Sequence, residues 1–388
     1  MSTPATPFRA REALLGLLLS FVSIVAVLLV LELGLRVLGF VPDRFQMMGR
    51  MANARWTLLL DCYPTNPRGY FDIDLRQPES RERYLSVAPL RFDAVARRAP
   101  WAVESRYNAL RFRDAPLGPK RPGVRRVMVL GDSFTEGQGV KEPDTCVRQL
   151  ERLLNAAEPG GWEVRNCGRR GTDFPAIYQA FEEILPYKPD VLVYAMVLND
   201  PEQSESFHAR QTYVNDWILD RGRQTDDLEV EPSLFRSRLL TLVTDRVTSW
   251  RVGRETTRWY LDMYGPANRG GWEQTERYIR EMNQRVQEGG GRFLVAPWPL
   301  FVGLEGGYPF RPIHETIRRF CLQAGIAHHD LLSVFLGRRS ETFWVHPVDR
   351  HPNEIAHRLA AESLAPVVGE MGRAESPETL PPHRSRQR

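Results

Sequence analysis

The sequence has almost no lysine. Lys120, Lys141 and Lys188 are the only three among 52 basic residues, so arginine carries nearly all of the positive charge. These arginines are scattered among 48 acidic residues, and the formal net charge is only +4. A nucleic-acid-binding protein concentrates basic residues on one face or helix, so no nucleic-acid partner is expected and the arginines read as a residue preference of a solvated surface. Cysteine is sparse as well: Cys62, Cys146, Cys167 and Cys321 stand far apart with no C-x-x-C pair. That spacing excludes the common zinc ribbons and dithiol redox motifs. Pairing in an oxidising compartment stays open, and a buried free thiol is the plainer reading for Cys321. With 42% hydrophobic and 26% charged residues, the composition excludes a disordered, collagen-like or polytopic membrane chain.

What is present starts with one long apolar run. Ala13 to Leu31 carries no charge, and its 19 residues on a helix span about 28 Å, close to the hydrocarbon thickness of a bilayer. Glu32 and Arg36 follow, four residues apart and able to pair on a helix. A cleaved signal peptide has a shorter apolar core and a small-x-small site soon after it. Here LELGLRVLGFVPDRF follows, and Ala52-Asn53-Ala54 lies too far downstream. The expectation is an uncleaved anchor over 13–40 behind a cytoplasmic stub at 1–12. The flanking arginines give no support to that orientation, since Arg9 and Arg11 precede the run and Arg36, Arg44, Arg50 and Arg55 follow it.

Residues 41–125 form a lead-in expected to pack on the domain that follows. Its Pro/Gly punctuation, as in PTNPRGY and APLGPKRPG, predicts extended segments and turns. From residue 126 strand and helix signals alternate. Strands are predicted at Val127 to Leu130, Trp162 to Asn166, Val191 to Val197, Phe293 to Ala296 and Ile326 to His328. Between them fall helices with apolar faces at Val147, Leu150, Leu153 and Leu154, then Ile177, Phe181 and Ile184. Two more have Thr275, Ile279, Met282 and Val286, then Ile313, Ile317, Phe320, Cys321 and Ala324. A last helix is predicted over Asn353 to Val368, with a polar, Pro-rich, disordered tail at 369–388. Residues 201–270 break the rhythm and read as an insertion with helices of its own, shaping a substrate mouth or a docking surface. The alternation predicts a three-layer α/β/α fold around a mainly parallel sheet.

Ligand-handling groups in such sheets gather at the carboxyl ends of the strands. Four clusters stand out: Gly131-Asp132-Ser133-Phe134-Thr135-Glu136-Gly137, then Asn166-Cys167-Gly168-Arg169-Arg170-Gly171, then Leu198-Asn199-Asp200, and finally His346-Pro347-Val348-Asp349-Arg350-His351. The first places a serine directly after a buried strand, yet it lacks the G-x-S-x-G elbow of the usual α/β-hydrolase. Gly171 can offer a bare backbone N–H and Asn199 a side-chain amide. Asp349 and His351 suit a base and its orienting carboxylate. Two histidines and an aspartate also suggest a metal site, but no helical His-x-x-x-His face is present, so neither metal nor cofactor is expected. Trp298, Tyr308 and Trp344 are candidates for stacking on a substrate or, more simply, core residues; His314, His328 and His329 read as structural.

In this order the four clusters resemble the SGNH/GDSL hydrolase family. YNALRFRD before the first strand, DLLSVF from Asp330 and DRHPNEIAH near the end extend the likeness over 108–368, to its membrane-anchored bacterial branch. The resemblance implies an SGNH, flavodoxin-like domain over 126–368, placed outside the cytoplasmic membrane. It implies Ser133 as nucleophile, His351 as base and Asp349 as its orienting partner. The Ser133 and Gly171 N–H groups and the Asn199 side chain would form the oxyanion hole, with Asp132 holding the loop. Two positions depart from the family pattern. The last block often reads D-x-x-H, where Val348 stands here, and the third block usually has glycine where Val197 stands. The expected activity is ester hydrolysis, as esterase, lipase or deacetylase, on a small-molecule, lipid or glycan ester. Acyl transfer to a cell-envelope glycan uses the same groups, and a non-catalytic envelope assembly protein is the alternative of another class.

Overall fold

A computed structural model describes residues 7–38, 70–76, 79, 81, 82, 101–210, 237–346 and 349–374. Cys62, Val348, the middle of the insertion and the tail after 374 lie outside the described residues. The chain divides into two compact units, Met1–Asn53 with Asp216–Glu255, and Ala54–Asn215 with Thr256–Arg388.

The first unit contains helix α1 (Pro7–Val37), of which Glu12–Val37 is long and apolar enough to cross a membrane. From Leu14 to Leu33 its leucines and valines and Phe21 are exposed, left uncovered among the described residues. Glu32 pairs with Arg36 as expected, at 2.7 Å. The same carboxylate accepts hydrogen bonds from Ser237 Oγ (2.9 Å) and from the backbone N–H groups of Arg238 (2.9 Å) and Leu239 (2.8 Å). Opening N–H groups of a helix have no intrahelical acceptor, and a carboxylate supplies one.

The second unit is built on five strands: β3 (Arg125–Gly131), β4 (Trp162–Gly168), β5 (Val191–Ala195), β6 (Arg292–Val295) and β7 (Ala327–His328). All pair in parallel, in the order β4-β3-β5-β6-β7. Val127 to Leu130 and Val191 to Tyr194 are buried on both faces, which is why they read as unbroken apolar runs. Helices α3 (Cys146–Ala157) and α8 (Glu354–Arg373) pack together, as do α4 (Phe174–Ile184) and α6 (Arg269–Glu288), giving the expected three layers. The chain leaves β3 for one side of the sheet and crosses to β5 on the other. This reversal opens a crevice at the carboxyl ends of β3 and β5.

Local signals explain the helix limits. Thr145 caps α3, Asp173 caps α4 with Pro175 in its first turn, and Asn353 caps α8 through Ile355 and Ala356 N–H. Gly325, at φ +64°, ends α7 (Arg311–Ala324). Four details differ from the sequence reading. Helix α8 continues through Pro366 to Arg373, because Val368 and Gly369 are still buried against the unit. Strand β5 stops at Ala195, since Asp200 draws residues 197–200 into a turn. Leu153 faces solvent on α3. The arginines are not all solvated: Arg113 and Arg126 are each 1% exposed, and Arg126 pairs with Glu163 at 2.9 Å across β3 and β4.

The lead-in contributes β1 (Tyr70–Asp74) and β2 (Trp101–Ser105), a separate parallel pair. The insertion contributes Phe207, which packs with Trp259 and Met263 from the end of α5 (Arg238–Met263). Cys146, Cys167 and Cys321 are buried free thiols. Trp298 and Tyr308 are buried in the core rather than open to a substrate.

Gly168 closes β4 where the short helix α2 (Ser133–Glu136) crosses it. A Cβ there would stand 2.3 Å from the Glu136 nitrogen and 2.8 Å from the Thr135 carbonyl carbon, both backbone atoms that cannot swing aside. Gly270, in the first turn of α6, has open space where a Cβ would go. Gly168→Ala is expected to destabilise the protein by about 1–3 kcal/mol. Gly270→Ala is expected to leave stability unchanged or raise it by up to about 1 kcal/mol. Thermal denaturation of the detergent-solubilised chain reads both.

Candidate active site

Strand β3 ends at Gly131, and the chain turns at once into α2. A Cβ on Gly131 would meet Thr135 Oγ1 at 2.3 Å and the Ala195 carbonyl oxygen at 2.8 Å, so only glycine allows the turn. Asp132 then caps α2: its Oδ1 accepts the Phe134 N–H at 2.8 Å, and its Oδ2 lies 3.5 Å from Ser133 Oγ. This is the loop-holding place expected for Asp132. Burial pushes its carboxyl up to about 6.

The structure brings Ser133, His351 and Asp349 together. Ser133 Oγ is 2.9 Å from His351 Nε2, and His351 Nδ1 is 2.5 Å from Asp349 Oδ1. The tautomer that satisfies both contacts carries its proton on Nδ1, donates it to the carboxylate, and leaves the Nε2 lone pair for the serine hydroxyl. Strand β9 (Asp349–Pro352) pairs antiparallel with β8 (Trp344–His346). Residues two apart on a strand project to the same face, and this is how D-x-H presents both side chains to one point. Asp349 Oδ1 also accepts the His351 N–H at 3.2 Å. The imidazole rests on Phe134, ring centroids 5.4 Å apart, and Phe134 is backed by Phe301 and Trp298.

Gly171 and Asn199 sit at the same sheet edge. Gly131 is in register with Gly168 on β4 and with Ala195 on β5, so Ser133, Gly171 and Asn199 follow three neighbouring strands by two, three and four residues. Gly171 takes φ +69° with open space around its α-carbon, and Asn199 is half-buried. Val197, at the family's usual glycine position, is turned into the hydrophobic core. Among the described residues, no group of three or more His, Cys, Asp or Glu side chains could hold a metal ion.

Several supporting residues were not legible in the sequence. Asp200 Oδ2 accepts the Val197 N–H (2.9 Å) and the Tyr194 hydroxyl (2.8 Å), and burial together with nearby Asp132 holds its carboxyl well above the ordinary value. Glu136 Oε2 accepts the Arg170 N–H at 2.8 Å, and its Oε1 accepts Arg170 Nε at 2.8 Å and the Tyr107 hydroxyl at 2.7 Å. Burial pushes the Glu136 carboxyl up, and the Arg170 guanidinium outweighs it, leaving the group below its usual value. His357, the last residue of DRHPNEIAH, accepts the Cys146 N–H at 3.0 Å and is pushed down to about 3 by burial, a neutral core residue. Asp200 and Glu136 stood inside the motifs, but only their partners reveal what they hold. His314 is likewise internal, between Asp330 (2.9 Å) and Tyr308 (3.2 Å).

Asp132 gives the site a pH signature. Folded, it keeps its proton to about pH 6; unfolded, it ionises near its ordinary 3.8. Between those values the folded state binds more protons, so the group erodes stability as pH rises from about 4 to 6. Asp132→Asn keeps an acceptor for Phe134 N–H and cannot ionise. Its melting temperature relative to wild type is expected to climb between pH 4 and pH 7 in thermal scans, and a flat difference would count against ionisation of a buried Asp132.

The description GDSL-like Lipase/Acylhydrolase family matches residues 129–359, more than half of the sequence. None of the curated proteins matches. Among solved structures, the chain is similar to a catalytic mutant of Axe2, an acetylxylan esterase from Geobacillus stearothermophilus. The identity is 14%, with 66% of this chain and 98% of that one covered and a TM-score of 0.38. It is also similar to the lipase/acylhydrolase from Enterococcus faecalis, at 14% identity, 64% and 96% coverage and a TM-score of 0.37. Likenesses this distant say nothing about substrate. The match over 129–359, on a doubly wound parallel sheet with the four sequence blocks at its carboxyl edge, makes this chain a member of the GDSL-like lipase/acylhydrolase family.

Proposed function

We propose that the protein is a serine-dependent hydrolase of carboxylic esters, using Ser133, His351 and Asp349. The observation that carries this reading is the 2.9 Å contact between Ser133 Oγ and His351 Nε2, with Asp349 on the far side of the same ring. A serine hydroxyl is a weak nucleophile at neutral pH and needs a base within hydrogen-bond reach. His351 takes the proton as Oγ bonds to the ester carbonyl carbon, and gives it to the alkoxide as the C–O bond of the leaving alcohol breaks. Water, deprotonated by the same imidazole, then releases the acid. Asp349 fixes the tautomer and stabilises the imidazolium between the two transfers. The carbonyl oxygen becomes an oxyanion in both halves. The Ser133 and Gly171 N–H groups and the Asn199 amide are its donors in this reading, supported by their shared position at the carboxyl ends of β3, β4 and β5. Losing one such donor raises the barrier by about 3 kcal/mol.

The same reading keeps α1 as an uncleaved membrane anchor. Its length, apolarity and exposure support this, and so does the use of Glu32 to cap α5, which cleavage after the apolar run would remove.

A panel of p-nitrophenyl esters of graded chain length tests the activity. Ser133→Ala is expected to lose at least about a thousandfold in kcat/KM while its melting temperature holds, and turnover at the wild-type rate would remove Ser133 from the mechanism. A rate optimum at acetyl points to small acyl groups such as those on glycans, and an optimum at long chains points to lipids. Carbonate extraction of membranes tests the anchor: the chain is expected to stay in the pellet, and full release at alkaline pH would contradict it.

A further inference from the structure

The matched family region begins at residue 129, yet two side chains of β1, far upstream, reach the machinery. Tyr70 is fully buried, and its hydroxyl donates to Asp349 Oδ2 at 3.2 Å. The other oxygen, Oδ1, takes both contacts from His351. Two residues on, on the same face of the strand, Asp72 forms an ion pair with Arg170, the residue before Gly171. Arg170 is held on its other side by Glu136, whose second oxygen takes the Arg170 backbone N–H at 2.8 Å. Glu136 is the last residue of the helix that begins with Ser133.

Strand β1 is itself firmly placed. It pairs with β2, Tyr70 opposite Trp101 and Asp72 opposite Val103. Tyr70, Val103, Val140 and Val345 form a small hydrophobic core of their own. Trp101 Nε1 donates to the Gly139 carbonyl at 3.2 Å. The buried guanidinium of Arg113 donates to Gly137 O (2.8 Å), Val140 O (2.9 Å) and, on β2, Glu104 O (3.1 Å). The strand pair is therefore tied to the segment just after α2 and to β8, which precedes the strand bearing His351.

We propose that β1 is a built-in clamp for the catalytic groups, with Tyr70 a positioning residue for Asp349 and, through it, His351, and Asp72 a positioning residue for Arg170 and the Gly171 loop. This rests on the ester-hydrolase reading for its catalytic meaning, though the Tyr70 contact can be read without turnover. The two residues act differently. The Tyr70 hydroxyl draws charge from the Asp349 carboxylate. Without it the carboxylate bears more strongly on the imidazole and favours the imidazolium. Asp72 balances Arg170 at the oxyanion side and has no path to the imidazole proton.

The experiment uses the full-length chain in detergent, as wild type, Tyr70→Phe and Asp72→Asn. It measures kcat and KM on the preferred p-nitrophenyl ester across pH, melting temperature, and the His351 titration by imidazole NMR, assigned with His351→Gln. Tyr70→Phe is expected to lower kcat about tenfold with KM within about twofold. It is also expected to move both the acid limb of kcat/KM and the NMR titration upward by about half a pH unit. Asp72→Asn is expected to lower kcat by a similar factor with the acid limb unmoved. A purely structural strap would instead lower the melting temperature and leave the pH profile in place, and that result overturns the proposal. An active wild type whose Tyr70→Phe variant keeps its kcat and its His351 titration overturns it as well. If the wild type hydrolyses no ester but Tyr70→Phe still shifts the His351 titration, the positioning contact stands and the assigned reaction falls.

Discussion

A hydroxyl and an imidazole 218 residues apart along the chain approach to 2.9 Å only if both segments are fixed to one rigid body. Here that body is the parallel sheet. Its ladder holds β3 against β4 and β5 in a fixed register, so Ser133, Gly171 and Asn199 leave the sheet at one level. His351 belongs to no strand of that sheet. It arrives on the β8–β9 hairpin, which is secured by Asn353: this residue caps α8, and its side-chain amide also donates to Thr342 O (2.9 Å) and Trp344 O (3.2 Å). Helix α8 packs on α3 and anchors the hairpin to the sheet. A proton-transfer contact tolerates only a few tenths of an ångström, and side chains on packed elements meet that tolerance better than side chains on loops.

The same edge is crowded with buried polar groups, and Asp132, Glu136 and Asp200 each accept from specific donors. Asp132 and Asp200 are two carboxyls in one dry region, and burial pushes both toward the protonated form. That direction suits the chemistry. A fixed negative charge beside Ser133 would oppose a developing oxyanion, and the upward push shrinks the share of Asp132 that carries it as pH falls toward 6. Glu136 is the contrast. It is nearly as buried but faces the Arg170 guanidinium, and it stays ionised as the anchor of an ion-paired network. Asp132 and Glu136, four residues apart, are thus pushed in opposite directions because of their surroundings.

The chain's layered order was legible because β3 and β5 are buried on both faces and α3, α4 and α8 each have a capping residue beside an apolar stripe. The approach of Ser133, His351 and Asp349 to one point was legible as well, through the four blocks, although nothing in their spacing states a distance. The sequence misled where local preference was outweighed by packing. The last helix is expected to stop at Val368, yet Gly369 is still buried against the core and α8 runs on to Arg373. Trp298 and Tyr308 left two readings open, stacking or core, and the structure puts them in the core, behind Phe134 and beside His314. Tyr70 carried no signal at all. A tyrosine in a Pro/Gly-punctuated lead-in has no periodicity to mark it, and its partner Asp349 lies 279 residues away. A contact of that span is specified by tertiary packing alone.

The departure from D-x-x-H follows from the same physics. On a loop or helix turn, three residues separate two side chains that converge. On an extended strand two residues do so, since alternate side chains share a face. His351 lies within β9, and Asp349 begins it. The shorter spacing is therefore what a strand-borne histidine requires, and it has a consequence for the carboxylate. The His351 backbone N–H and its imidazole both fall on Oδ1, leaving Oδ2 turned toward β1. A buried carboxylate oxygen facing protein needs a donor to offset its lost hydration. The lead-in strand supplies one, and so a segment outside the matched family region becomes part of the structure on which the histidine depends.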